Sequence, residues 1–86
     1  ALTIDTRVNG ISMQHAETST MLLSVADTIM FLSSFGSLKP GDVIATGSPA
    51  GVGMSRSPPV WLSNGDTVEV EISSIGTLAN RVTDEV

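Results

Sequence analysis

Cysteine and tyrosine are absent from this chain, and histidine occurs once. Without cysteine there is no disulfide framework and no thiolate metal site. A single imidazole excludes a multi-histidine or histidine–cysteine zinc centre. The composition is compatible with a reducing cytosol, and a cytoplasmic location is expected. Cations are equally sparse. Arg7, Lys39, Arg56 and Arg81 stand far apart against nine acidic residues, for a net charge of −5. No basic patch exists to meet a phosphate backbone, so nucleic acid is not an expected partner. Long apolar runs are missing too. The best stretch, Met21 to Phe35, is interrupted by Ser24, Asp27, Thr28, Ser33 and Ser34, too short and too polar to cross a bilayer. No membrane association is expected. No basic flank precedes an apolar core at the start, as a signal peptide would require. The chain opens without methionine and mid-pattern, as a processed or truncated piece would.

What is present is apolar. Hydrophobic residues make up 41% and charged ones only 15%, where a quarter is usual, and mean hydropathy is +0.27. A chain of this length covers only about two thirds of its unfolded surface. Either it oligomerises, or it is one segment of a larger chain.

Leu2 to Val8 alternates apolar and polar, the period of a half-buried strand. Asn9-Gly10 is a strong two-residue hairpin signal, and Ile11 and Met13 alternate with Ser12 and Gln14 on the return strand. His15 to Thr20 is polar, lacks a clear period and reads as a loop. Ser24 with Asp27 resembles a capping box, which starts a helix near Val25. Leu22, Val25, Ala26, Ile29, Met30 and Leu32 fall near helical spacing, and Gly36 suits a left-handed stop. Two echoes follow, Leu38-Lys39-Pro40-Gly41-Asp42-Val43-Ile44 and Leu62-Ser63-Asn64-Gly65-Asp66-Thr67-Val68. Each runs leucine, turn, Gly-Asp, strand. Met54 to Pro59 reads as a loop, and Trp61 as a packing anchor. Thr67 to Ile72 alternates strictly, with Val68, Val70 and Ile72 facing inward and Glu69 and Glu71 outward. After a turn at Ser73 to Gly76, Thr77 to Val82 reads as a last strand. One helix among turn-linked strands predicts an α+β, mostly β fold rather than a doubly wound sheet.

The rest of the chain is organised around Val43 to Gly53. A short apolar run, read as a buried strand, empties into hydroxyls, one proline and three glycines. Glycine lets backbone N–H groups approach a ligand, and Thr46 and Ser48 add two hydroxyls at the mouth. The alternative is a tight turn whose hydroxyls bond their own backbone, the commoner arrangement on spacing alone. Elsewhere the chemistry is thin. His15 reads as a solvated loop residue. Glu69 and Glu71 share a strand face that could hold a divalent ion, but they fit better as solvent-side carboxylates. A triad of Ser48, His15 and Asp42 can be written down, yet Ser48 sits in no G-x-S-x-G elbow. The glycines form neither a dinucleotide fingerprint nor a P-loop.

Several ordered landmarks carry a resemblance. They are Arg7-Val8-Asn9-Gly10, Gln14, the helix ending near Leu32-Ser33, the Leu38 to Ile44 stretch, Thr46-Gly47-Ser48-Pro49-Ala50-Gly51-Val52-Gly53, Leu62 with Gly65-Asp66, and Ile75 to Asn80. Together they resemble the C-terminal part of the catalytic domain of the fumarylacetoacetate hydrolase family, across nearly all of residues 1–86. The resemblance implies part of a mixed β-sandwich roll, usually a homodimer. It implies an enzyme using Mg²⁺ or Mn²⁺ on 2-oxo acids or related enolisable acids, for C–C hydrolysis, decarboxylation, isomerisation or hydration. In that family the metal sits on an E-x-E pair and a further acid, all upstream of the stretch matched here. Glu69-Val70-Glu71 lies in a different, late strand and is not that pair. The metal ligands are therefore expected on a missing N-terminal half or a companion chain, and this chain alone is expected to be inactive. By the same resemblance Ser48, where threonine is commoner, contacts the substrate carboxylate, with Gly47 beside it and Thr46 as a weaker candidate. No acid–base residue of the family is matched. The alternative reading is a non-catalytic binding or assembly module that keeps only this half of the fold.

Overall fold

The computed structural model describes residues 2–85. Strand β1 (Thr3–Val8) is followed by β2 (Ile11–Glu17), helix α1 (Val25–Ser33), β3 (Thr67–Ile72) and β4 (Gly76–Arg81). The strands form one antiparallel sheet in the order β2-β1-β3-β4. Residues between β2 and β3, including α1, make a single long excursion. The α+β, mostly sheet class read from the sequence holds.

The first hairpin turns at Asn9 and Gly10, both at positive φ (52° and 80°). Asparagine is suited here for a second reason. Its Oδ1 accepts the Thr67 N–H at 3.0 Å and its Nδ2 donates to the Asp66 carboxylate at 3.0 Å, tying the turn to the entry of β3. The two Gly-Asp echoes are one device. Asp42 N donates to Lys39 O, and Asp66 N to Ser63 O, each at 3.0 Å around a glycine at φ 94° or 91°. Each aspartate then accepts the N–H three residues back, at 2.8 Å. Only the second launches a strand among the described residues. Val43-Ile44 forms none, contrary to the buried strand expected, and Val43 is 93% exposed. A strand needs a ladder partner, and no described segment pairs with this one.

Three further expectations are corrected. His15 to Glu17 belongs to β2, not to a loop. The register steps between Thr6 and Arg7, which pair with Gln14 and Ser12, so Met13 is an extra residue. Such a bulge shifts the alternation by one, which is why the end of this strand looked aperiodic. Gly36 is not a left-handed stop. The helix ends at Ser34 in right-handed geometry, and the Ser33 and Ser34 hydroxyls take up the Met30 and Phe31 carbonyls instead. Trp61, expected as a packing anchor, is 66% exposed rather than buried. The helix start is as read, with Ser24 Oγ accepting the Asp27 N–H at 3.0 Å.

The register sorts the sheet into two faces. Ile4, Thr6 and Val8 stand opposite Ile72, Val70 and Val68, while Asp5 and Arg7 stand opposite Glu71 and Glu69. One face is apolar and the other charged. No described residue is fully buried, and large side chains such as Leu22, Phe35, Ile75 and Leu78 lie open. Each large aliphatic left uncovered forgoes about 1.5–3 kcal/mol of burial. No helix among the described residues is long and apolar enough to cross a membrane.

Two outcomes follow from the Asn9–Asp66 link. Asn9→Ala should cost about 2–4 kcal/mol, from the left-handed backbone and two lost hydrogen bonds, read by denaturant titration. Asn9, and then the Ser63 N–H, hold the Asp66 carboxyl below the usual carboxylate range. A depressed folded pKa stabilises above the unfolded value and is lost as pH falls through the folded one. The melting temperature should therefore drop below about pH 4, and Asp66→Asn should flatten that acid limb.

Candidate functional site

A cleft of about 770 Å³ opens on the apolar face of the sheet. Ile4, Ala16 and Ile72 form its floor, Phe31 and Leu32 of α1 one side, and the Ile44–Pro49 segment another. The three residues read as substrate contacts, Thr46, Gly47 and Ser48, all line it and are exposed. None of the lining residues carries a charge.

Hydroxyls supply the polarity. Thr18 accepts the Leu2 N–H, Thr20 donates to the Glu17 carbonyl and Thr28 to the Ser24 carbonyl, so these three are committed to backbone. The Thr46 and Ser48 hydroxyls make no hydrogen bond to the described residues, so they do not close a turn on their own backbone. Gly47 stands at φ 91° with open space where a Cβ would be. Gly47 is itself exposed and lines the cleft.

The loop is held from behind by β2. Gln14 Nε2 donates to the Pro49 carbonyl at 2.9 Å. Arg56 Nε donates to the Gly51 carbonyl at 3.0 Å, and its Nη2 to the Met13 carbonyl at the bulge. Gly51 has φ 104°, and a Cβ there would fall on the Met13 carbonyl oxygen. Gly53 is pressed against Val60 in the same way, and its carbonyl accepts the Val60 N–H at 2.8 Å. The three glycines therefore differ in purpose. Gly47 provides a conformation, Gly53 provides room, and Gly51 provides both. In the sequence Arg56 is only one scattered cation, since nothing in its neighbours marks a guanidinium that reaches back across 43 residues.

The other candidates lie elsewhere. Glu69 and Glu71 are on the charged face, bound to Arg7 at 3.8 and 2.9 Å. Arg7 also bonds Asp5 at 2.8 Å. The Ser12 hydroxyl, ahead of Arg7, holds the Asp5 carboxyl below its usual range. Glu71 and then Asp5 raise the Arg7 guanidinium further above its usual value. His15 Nδ1 is 3.4 Å from Asp5 on that face, and Asp42 is committed to the Lys39 N–H. Ser48, His15 and Asp42 do not come together. No cluster of three or more metal-ligating side chains occurs among the described residues, and the cleft lining holds no acid or histidine. The residues present do not fit a divalent ion.

Sheet, helix and neutral cleft together define an α+β segment with an uncharged cleft on its apolar face. The profile of the fumarylacetoacetate (FAA) hydrolase C-terminal family matches residues 1–83, and the chain belongs to the fumarylacetoacetate hydrolase family. It is 46% identical over 81 residues to a mitochondrial oxaloacetate tautomerase of Rattus norvegicus, covering 94% of this chain and 26% of that one. An oxaloacetate tautomerase of Bacillus subtilis is 43% identical over 81 residues, covering 94% and 27%. A solved fumarylacetoacetate hydrolase from Exiguobacterium antarcticum superposes with a TM-score of 0.90 at 44% identity, covering 98% of this chain and 30% of that one. The chain thus spans about a quarter of the length of the curated relatives it matches.

Gly51→Ala should destabilise more than Gly47→Ala in thermal melts. Both incur about 1–2 kcal/mol for a left-handed alanine, but only Gly51 also displaces the Met13 carbonyl. Equal losses would show that close packing is not the constraint at Gly51.

Proposed function

We propose that this chain is the substrate-gripping C-terminal segment of a divalent-metal-dependent enzyme acting on 2-oxo acids or related enolisable acids. The observation that carries the reading is the pair of uncommitted hydroxyls, Thr46 and Ser48, flanking Gly47 in an uncharged cleft. Neutral donors suit a carboxylate, and their hydrogen bonds to it would strengthen once the rest of the domain covers the cleft and lowers the dielectric. The apolar floor and helix side offer the carbon skeleton between a nonpolar surface. The oxaloacetate tautomerases among the relatives point to a substrate of this chemistry, a 2-oxo acid with a second carboxylate at its far end.

The Mg²⁺ or Mn²⁺ of this reading belongs to residues outside this chain, since the cleft offers it no ligand. A missing N-terminal part of the domain, or a companion chain, would supply the metal site and cover the open apolar side chains. The complete enzyme is a homodimer on this reading, and residues 1–86 alone are inactive. The uncharged cleft also favours a second reading, a binding or assembly module without catalysis, in which the hydroxyl pair grips a carboxylate that is never turned over.

Ser48→Ala tests the role of the loop. In the intact enzyme, losing one hydrogen bond to a charged group, about 1.5–3 kcal/mol, should raise KM for oxaloacetate about tenfold or more. The kcat should stay nearly constant, as expected when uniform binding is removed. Unchanged kinetics would remove Ser48 from the site, and wild-type protein without turnover but with carboxylate binding would favour the module.

A further inference from the structure

We propose that Arg56 is a positioning residue, a clamp that fixes where the Ser48 hydroxyl stands by locking the glycine loop to the bulge of β2. The functional half of this proposal rests on the reading of that loop as the substrate contact. The geometric half rests on the bonds alone.

The guanidinium fork matches a carboxylate, and a partly buried arginine is well suited to such an ion pair. Arg56 makes no ion pair among the described residues, although nine acids are present in the chain. Its half-buried guanidinium donates to two backbone carbonyls instead, one on each side of a junction. The Met13 carbonyl belongs to the residue that the register leaves without a partner on β1. A bulge normally leaves such a group to water or to a side chain. The Gly51 carbonyl lies three residues beyond Ser48 in the loop. Charge-assisted bonds to both join the sheet to the loop through one rigid plane. Gln14, next to Met13, adds a third tie at Pro49, the residue after Ser48.

The chain is shaped to admit this plane. At Gly51 a Cβ would approach Arg56 Nη2 to 3.2 Å and Gln14 Cγ to 3.2 Å, besides meeting the Met13 oxygen. Arg56 itself is placed by the short 3₁₀ turn Gly53–Ser55, whose Gly53 carbonyl accepts the Arg56 N–H at 3.3 Å. The loop, the turn and the arginine form a closed ring that returns to the loop. A lysine could not replace the fork, because a single ammonium on a flexible stem cannot hold both carbonyls in one plane.

The test uses the intact enzyme, Arg56→Ala and Arg56→Lys, and two readouts. The first is amide exchange at Ser55 and Val60, whose N–H groups donate to the Val52 and Gly53 carbonyls. Arg56→Ala should speed their exchange about tenfold or more while the centre of β1 is unaffected, as a local opening requires. Arg56→Lys should fall between. The second is a double-mutant cycle with oxaloacetate as the probe. Arg56→Ala should raise KM with little change in kcat, and should add almost nothing in the Ser48→Ala background, since coupled residues are non-additive. Unchanged exchange would overturn the clamp, and additive KM effects would overturn its action through Ser48. Faster exchange beside a silent Ser48→Ala would uphold the clamp and remove Ser48 from the site, so the two readings fail separately.

Discussion

Strand β1, one of the two inner strands, constrains everything around it. It is hydrogen-bonded on both edges, to β2 and to β3, and its alternation decides which side of the sheet each neighbour shows. Ile4, Thr6 and Val8 commit one face to apolar cover, while Asp5 and Arg7 commit the other to charge. The Arg7 network on the charged face is well formed, but its members are partly exposed. Ion pairs of that kind contribute little on their own. Cohesion of the sheet therefore comes from the paired backbone and from whatever covers the apolar face, where the cleft lies.

On that apolar face the long connection from β2 to β3 does two things. Its helix supplies a wall, started by Ser24 and finished by serine hydroxyls rather than by glycine. Its later part brings the Thr46–Gly53 loop to the same cleft and ties it at Pro49 to Gln14 of β2 and at Gly51 to Arg56, while Gly53 bonds to Val60 within the connection. Because the ties act on the loop's backbone, the Thr46 and Ser48 hydroxyls stay uncommitted, as the proposed ligand contact needs. A rigid support with an uncommitted polar edge is what a preorganised binding loop requires.

Much of this was legible in the chain. The Asn-Gly hairpin, the Ser24 cap, the paired Gly-Asp turns and the strict alternation of β3 are local signals, each enforced within a few residues. The hydroxyl and glycine loop was legible as a candidate site through its residue types. The bulge was not, because an unpaired residue is defined only against a partner strand. Its shift of phase also disguised the end of β2. Val43-Ile44 and Trp61 misled for a related reason. They carry the composition of buried elements, but a strand and a core residue each need a second surface, and the described residues provide none.

By itself, then, the sequence determined which segments turn, where the helix starts, how the two sheet faces divide and where small polar residues gather. These depend on backbone preference and on periodicity, both of which act over short range. Tertiary structure decided that Arg56 spans from loop to sheet, that Glu69 and Glu71 are taken up by Arg7, and that Ser48, His15 and Asp42 stay apart. Contacts between residues distant in the chain depend on register and on the bulge, and a one-residue step in pairing exchanges one face of a strand for the other.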